Sequence, residues 1–85
     1  MAFDRDVGRQ VGGALRHLRE QRDLTQGMLA DLIGISRVRL STYENGRQIP
    51  NLYDVVKLLA TLGFSWQEFG RALLLPSEVR PAGGP

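Results

Sequence analysis

The sequence predicts an all-α fold, a compact bundle of five helices, from two observations. Apolar residues recur at three- and four-residue steps along most of the chain, without the sustained alternation that is typical of strands. Ser, Thr and Asn precede predicted helices and Gly follows them, at the positions that favour helix ends. Because 85 residues support one small core, we expect a single domain over residues 1–75 and a disordered tail over residues 76–85.

Helix 1 is predicted over about residues 5–22. Gly12 and Gly13 lie inside it and lower its helix propensity, so we expect another helix to approach closely there. Arg9 and Arg22 belong to a basic face that we expect to be solvated. The apolar positions that give the helical period are Val7, Val11, Ala14, Leu15 and Leu18.

Helices 2 and 3 are short and are separated by a glycine turn. Thr25 suits the N-cap of helix 2, which spans about eight residues and stops at Gly34 with a positive φ. Ser36 caps helix 3, which ends at Asn45 and Gly46. The apolar positions of the two helices are Met28, Leu29, Leu32, Ile33, Leu40 and Tyr43.

Helices 4 and 5 have equally clear ends. Asn51 caps helix 4, with Asp54 at its third position, and Gly63 closes it. Ser65 and Glu68 form a capping box that opens helix 5. The predicted core positions of helix 4 are Leu52, Val55, Val56, Leu58, Leu59 and Leu62.

The composition excludes several classes of protein. The chain has no cysteine and a single histidine, His17, so we expect no disulfide, no metal, no cofactor and no enzymatic activity. No apolar run approaches the roughly 20 residues that span a bilayer, and the N-terminus lacks the pattern of a secretory signal. We therefore expect a cytoplasmic protein without a membrane partner. The net charge is only +2, but ten of the 11 basic residues are arginines, which bind phosphates and base edges bidentately.

One face of helix 3 is expected to lie uncovered. When Leu40 is set at the core of a wheel with about 100° per residue, Ser36, Tyr43 and Glu44 fall on the inward side. The opposite half and its margins carry Arg37, Val38, Arg39, Ser41, Thr42 and Asn45. Hydroxyl and guanidinium groups bond base edges, and a valine methyl contacts the thymine methyl, so this face suits a DNA major groove.

Two short helices joined by a tight turn form a helix-turn-helix. The stretch LREQRDLTQGMLADLIGISRVRLSTYENGRQIPN resembles the Cro and phage-repressor type of helix-turn-helix family, also called the XRE family, and the resemblance covers about residues 8–75. Asp23 stands where that family often has glycine, which is tolerable because Asp adopts positive φ more readily than most residues. The features that agree in spacing are Arg19, Leu24-Thr25-Gln26, Leu29-Ala30, Gly34-Ile35-Ser36, Leu40, Tyr43-Glu44-Asn45-Gly46 and Pro50.

The resemblance implies binding of double-stranded DNA through helix 3. The implied base contacts are Arg37, Val38, Thr42 and, as a weaker candidate, Ser41. The implied phosphate contacts are Gln26, Ser36, Asn45 and Arg47. Arg39 either reaches a phosphate or pairs with a nearby acid. Arg19 and Glu44 match a buried ion pair that links helix 1 to helix 3 in the family.

Helix 5 and the turn before it carry more apolar surface than one small bundle easily covers. The residues concerned are Phe64, Trp66, Phe69, Leu73 and Leu74. They either form the interface of a two-fold homodimer, with its recognition helices about 34 Å apart, or close the core over helices 1 and 4. Of these alternatives we expect the dimer.

Taken together, these patterns predict a sequence-specific transcriptional regulator, a repressor that binds a palindromic operator as a homodimer. A second hypothesis is an antitoxin-type interaction module that neutralises a partner protein, such as a toxin, and also binds its own promoter. An RNA binder fits less well, because the chain lacks an exposed aromatic stacking platform.

Overall fold

Residues 4–75 are described by the computed structural model of the protein, and they form five helices and no strand. The helices are α1 (Arg5–Gln21), α2 (Gln26–Ile33), α3 (Arg37–Glu44), α4 (Leu52–Leu62) and α5 (Trp66–Leu73). The predicted all-α class and the five predicted helices are therefore confirmed. The tail predicted over residues 76–85 lies outside the described residues.

A side-chain oxygen caps the N-terminus of every helix and accepts from an N–H group that the first turn leaves free. The capping residues are Asp4, Thr25, Ser36, Asn51 and Ser65. At α5 the capping box is complete, because the Ser65 N–H donates to Glu68 Oε1 over 2.9 Å and the Glu68 N–H donates to Ser65 Oγ over 3.1 Å. The bond from the Ser65 backbone lowers the pKa of Glu68. Four of these five caps were predicted from the sequence, and Asp4 was not.

The core forms around α1, which packs against α3 and α5, while α2 packs against α3 and α4. The largest fully buried side chains are Leu15, Leu29, Ile33, Leu40, Tyr43 and Leu58. Since α3 is held between α1 and α2 by its inward side, its opposite side remains open to solvent.

Some residues that were predicted to be in the core are exposed instead. They are Val7, Met28, Leu32, Leu52 and Val56. Leu52, for example, is 70% exposed. Each of these residues lies at the margin of its helix's apolar stripe, and a domain this small has too few neighbouring helices to cover both margins of every stripe.

Gly12 is the point where α1 crosses α3, as its position in the sequence led us to expect. A Cβ atom at Gly12 would lie 2.7 Å from the Glu44 carbonyl oxygen and would also meet the carbonyl oxygen of Tyr43. Only glycine allows the backbones of α1 and α3 to come this close. Asp23, in the turn after α1, has a φ of 56°, so the departure from the family's glycine is accommodated.

Candidate nucleic-acid interface

The two sides of α3 differ sharply in exposure. Leu40 and Tyr43 are fully buried on one side, whereas Val38 is 75% exposed on the other. Arg37 is exposed, and Ser41 and Thr42 are partly exposed. Ser36 was expected on the inward side but is exposed, because as the N-cap it lies outside the helix and accepts from the Arg39 N–H over 3.0 Å.

Hydrogen bonds along α3 order its exposed side chains. The Thr42 hydroxyl donates to the Val38 carbonyl oxygen over 2.9 Å, and the Asn45 amide donates to Ser41 Oγ over 3.2 Å. A hydroxyl that donates once still has lone pairs that accept. This surface therefore presents rotamers that are already restrained, which lowers the entropic cost of binding a ligand.

The carboxylate of Glu44 joins three helices at the base of the site. Arg19 of α1 donates through Nε to Glu44 Oε2 over 2.8 Å and through Nη2 to Oε1 over 2.9 Å. Gln26 at the start of α2 donates to Glu44 Oε1 over 3.0 Å. The hydrogen bonds to Glu44 raise the pKa of Arg19 despite its burial. Because Arg19 Nη1 also donates to the Leu24 carbonyl oxygen over 2.6 Å, one guanidinium group fixes α3 and the turn before α2 relative to α1.

Gln26 is thereby oriented by a residue of the recognition helix. Its amide nitrogen carries two hydrogens, and the bond to Glu44 uses one of them. The second hydrogen remains available in principle to an acceptor at the N-terminus of α2. The sequence predicted Gln26 as a phosphate contact, and the structure adds its bond to Glu44.

A second polar cluster joins α3 to α4. The Tyr43 hydroxyl donates to Asp54 Oδ2 over 2.6 Å and accepts from Arg39 Nε over 2.8 Å, and Arg39 Nη2 lies 2.7 Å from the same Asp54 oxygen. Burial raises the pKa of Tyr43, and the bond to Asp54 adds to this effect. Arg39 thus pairs with an acid, the second of the two alternatives drawn from the sequence.

The sequence gave no sign of this role for Asp54. Asp54 accounts for itself locally as the third residue of α4, where its N–H donates to the Asn51 side chain over 2.7 Å. Its carboxylate, however, is buried and serves α3 rather than the start of α4. An acid at a capping position that also has to be buried is the signal that a sequence alone does not provide.

One concave surface gathers most of the predicted contact residues. It is lined by Gln26, Arg37, Val38, Ser41, Thr42, Asn45 and Arg47. Ser36 and Arg39, the other two predicted phosphate contacts, do not line it. We call this surface the α3 groove.

The apolar residues near α5 divide into two sets. Phe64, Phe69 and Leu73 pack against the core, whereas Trp66 and Leu74 are 54% and 79% exposed. The predicted alternatives, dimer interface or closed core, thus apply to different members of the same group. The exposed members are the ones left for a partner.

Arg22 is not merely solvated, as the sequence suggested. Its Nε donates to the Leu62 carbonyl oxygen over 2.7 Å, and its guanidinium carbon lies 4.0 Å from the centre of the Phe64 ring. The end of α1 is therefore held to the end of α4 by a cation–π contact and a hydrogen bond.

Two further features concern only residues 4–75. They contain no group of three or more His, Asp or Glu side chains placed to hold a metal ion. Within the same range, every helix is too short or too polar to cross a bilayer.

Known proteins share this arrangement. Residues 10–73 match the helix-turn-helix domain family. The chain is 34% identical over 64 residues to the HTH-type transcriptional regulator PuuR of Escherichia coli, and the match covers 75% of this chain and 35% of PuuR. It thus spans about a third of the length of that relative. The HTH-type transcriptional regulator y4dJ of Sinorhizobium fredii is 32% identical over 78 residues, which cover 92% of this chain and 96% of y4dJ.

A solved structure also has this fold. The crystal structure of the restriction-modification controller protein C.AhdI from Aeromonas hydrophila superposes with a TM-score of 0.67 at 31% sequence identity, covering 72% of this chain and 92% of C.AhdI. The family match covers most of the chain, including α2, α3 and the turn between them. This chain therefore belongs to the Cro and phage-repressor type of helix-turn-helix transcriptional regulators, the XRE family.

Proposed function

We propose that this protein binds a palindromic operator in double-stranded DNA as a homodimer and represses transcription, as a cytoplasmic protein without enzymatic activity. The observation that carries the proposal is the two-sided character of α3. Its inward side is anchored by Leu40, Tyr43 and Glu44, while Arg37 and Val38 stand exposed on the outward side. A rigid helix with a small, polar and basic exposed face fits the major groove.

Affinity and sequence discrimination are expected to come from different residues. Gln26, Asn45 and Arg47 line the margins of the α3 groove and offer amide or guanidinium donors to phosphates. Arg37 suits guanine, and Val38 suits the methyl group of thymine. Thr42 and Ser41 supply hydroxyls between them. Ser36 and Arg39 complete the proposed phosphate contacts, and Arg39 would then keep Asp54 as its second partner.

A homodimer accounts for the exposed apolar residues near α5. Trp66 and Leu74 expose large apolar side chains that a second copy would bury. The molecule measures 30 × 27 × 26 Å, so two copies side by side hold equivalent helices at a spacing close to the roughly 34 Å of one DNA turn. Phe64, Phe69 and Leu73 support this surface from beneath, because they pack on the core.

Selection of bound sequences from a random duplex pool tests the proposal, with the retained complex sized at about 150 mM salt. We expect an enriched palindrome bound by two chains. Enrichment of a single half-site by one chain would refute the dimer. Binding without enrichment, lost steeply as salt rises, would refute sequence recognition, because such binding reports phosphate contacts alone.

Exposed apolar residues on α4 favour a second candidate function, that of an antitoxin-type module that binds a protein partner. Leu52 and Tyr53 are each 70% exposed, and Val56 lies one turn further along the helix. They lie outside both the α3 groove and α5. Copurification of a second protein that is lost in Tyr53→Ser but kept in Trp66→Ser would support this function over that of a simple repressor.

A further inference from the structure

A second basic surface adjoins the α3 groove. It is lined by Arg5, Arg9, Asn45, Gly46 and Arg47, and we call it the α1 cleft. Arg5 and Arg9 are one helical turn apart on α1, so their side chains share a face. Three guanidinium groups around one concavity form a local positive charge that the net charge of +2 does not reveal.

The α1 cleft exists because the loop after α3 lies directly on α1. Gly46 has a φ of +74°, and a Cβ atom there would lie 2.8 Å from the Arg9 backbone nitrogen. This close approach brings Arg47, which follows the recognition helix, beside the first two turns of α1. The fold thus assembles basic residues that are about 40 positions apart in the sequence.

Acidic residues neutralise the α1 cleft only weakly. Within residues 4–75 the ion pair at this surface is Asp6 with Arg9, at 3.7 Å, and the side chains are 91% and 65% exposed respectively. An exposed pair of this kind contributes little and is readily exchanged for another anion. Arg9 is therefore free to turn toward a phosphate.

The α1 cleft is continuous with the proposed DNA surface. Asn45 and Arg47 line both the α3 groove and the α1 cleft. A DNA strand that leaves the α3 groove past these two residues meets Arg5 and Arg9 next. Guanidinium groups bind phosphate oxygens bidentately, so a phosphodiester is the ligand that this chemistry recognises.

We propose that Arg5 and Arg9, with Arg47, bind one backbone phosphate beyond the base pairs that α3 reads, so that the DNA interface extends onto the first two turns of α1. This inference rests on the proposed function, because it needs duplex DNA on the α3 groove. It assigns a binding role to two arginines that the sequence alone left as part of a solvated face. The contact adds affinity without adding sequence preference.

The double variant Arg5→Ala/Arg9→Ala tests the inference on the selected operator duplex. We expect weaker binding by a similar factor for the operator and for single-base changes of it. The slope of log K against log salt should fall by about 0.9 for each phosphate lost. Arg71→Ala is the control, because Arg71 is an exposed arginine on α5, which packs chiefly against α1. It should leave the slope unchanged.

Neutral methylphosphonate linkages placed one at a time along the operator locate the contact. In the wild-type complex, one linkage outside the base-contacted step should weaken binding, and in the double variant the same linkage should have no further effect. An unchanged salt slope in the double variant, or equal sensitivity of both proteins at every linkage, would overturn the inference. Thermal unfolding of the double variant checks that it is folded, as its exposed positions lead us to expect.

Titration with inorganic phosphate distinguishes a free anion from a DNA phosphate. Saturable binding of inorganic phosphate that the double variant loses, together with unchanged methylphosphonate sensitivity, would assign the α1 cleft to a free anion and overturn the DNA contact. A wild-type protein that binds no duplex DNA would instead refute the proposed function itself. Failure of the two proposals is thus distinguishable.

Discussion

Replacement of Glu44 by glutamine removes one charge from the junction of α1, α2 and α3 while keeping the shape of the side chain. Arg19 is then left with its charge, 7% exposed, and without the bidentate partner at 2.8 and 2.9 Å. Breaking a buried ion pair on one side costs about 3 to 5 kcal/mol. A glutamine oxygen still accepts one hydrogen bond from Arg19, so we expect the lower end, about 3 kcal/mol.

That cost is large relative to the whole stability of the domain. At about 0.05 to 0.15 kcal/mol per residue, a chain of 85 residues has a free energy of unfolding of about 4 to 13 kcal/mol. Glu44→Gln should therefore lower the unfolding midpoint by about 12 to 24 °C. Circular dichroism of thermal and urea unfolding measures both quantities, and equal urea m-values in the two proteins support a two-state comparison.

The matched control is Asp31→Asn, which removes one charge from an exposed carboxylate on α2. This variant should stay within about 0.5 kcal/mol of the wild type. If Glu44→Gln also stayed within about 1 kcal/mol, the Arg19–Glu44 pair would not be the element that holds the three helices together, and the reasoning would be refuted.

Three further predictions follow from the same structure. Gly12→Ala should destabilise the domain by about 2 kcal/mol in urea unfolding, because a clash with the α3 backbone of about 3 kcal/mol is offset by about 1 kcal/mol of helix propensity; unchanged stability would contradict the close crossing. Arg37→Ala should relax preference at one base pair by about 1 to 3 kcal/mol, whereas Gln26→Ala should weaken all sequences equally. Parallel losses for both variants across single-base operator changes would contradict the assignment. Since the pKa of Glu68 is lowered in the folded state, its contribution to stability is present above the ordinary glutamate pKa and is lost as the pH falls through the lowered value. Glu68→Gln keeps a capping box but should remove this part of the pH dependence, which urea unfolding across acidic pH measures; the same pH profile in both proteins would argue against it.

Much of the fold and of the candidate site could be predicted from the sequence. Caps such as Thr25 and Ser36 act within three residues of themselves, so their effect does not depend on the rest of the chain. The exposed face of α3 was predicted correctly because Leu40 and Tyr43 establish its inward side. Ser36 was misplaced because a wheel treats a capping residue as if it were helical.

Contacts between helices were harder to predict. Asp54 was expected only as a helix-start residue, yet it accepts from Tyr43, 11 positions away. Arg22 bonds the Leu62 carbonyl oxygen, 40 positions away. Such pairs depend on the angles and distances at which helices pack, which local propensities do not specify.

By itself the sequence determined the number of helices, where they begin and end, and which side of α3 faces outward, because each of these depends on spacing within one segment. Only the tertiary structure decided which margin of each apolar stripe is covered. It left Leu52 exposed and buried Leu58 on the same helix. It also brought Arg9 beside Arg47, because the Gly46 loop rests on α1. The physical reason is that burial and charge clustering depend on what lies across the gap between helices, and that neighbour is far away in the chain.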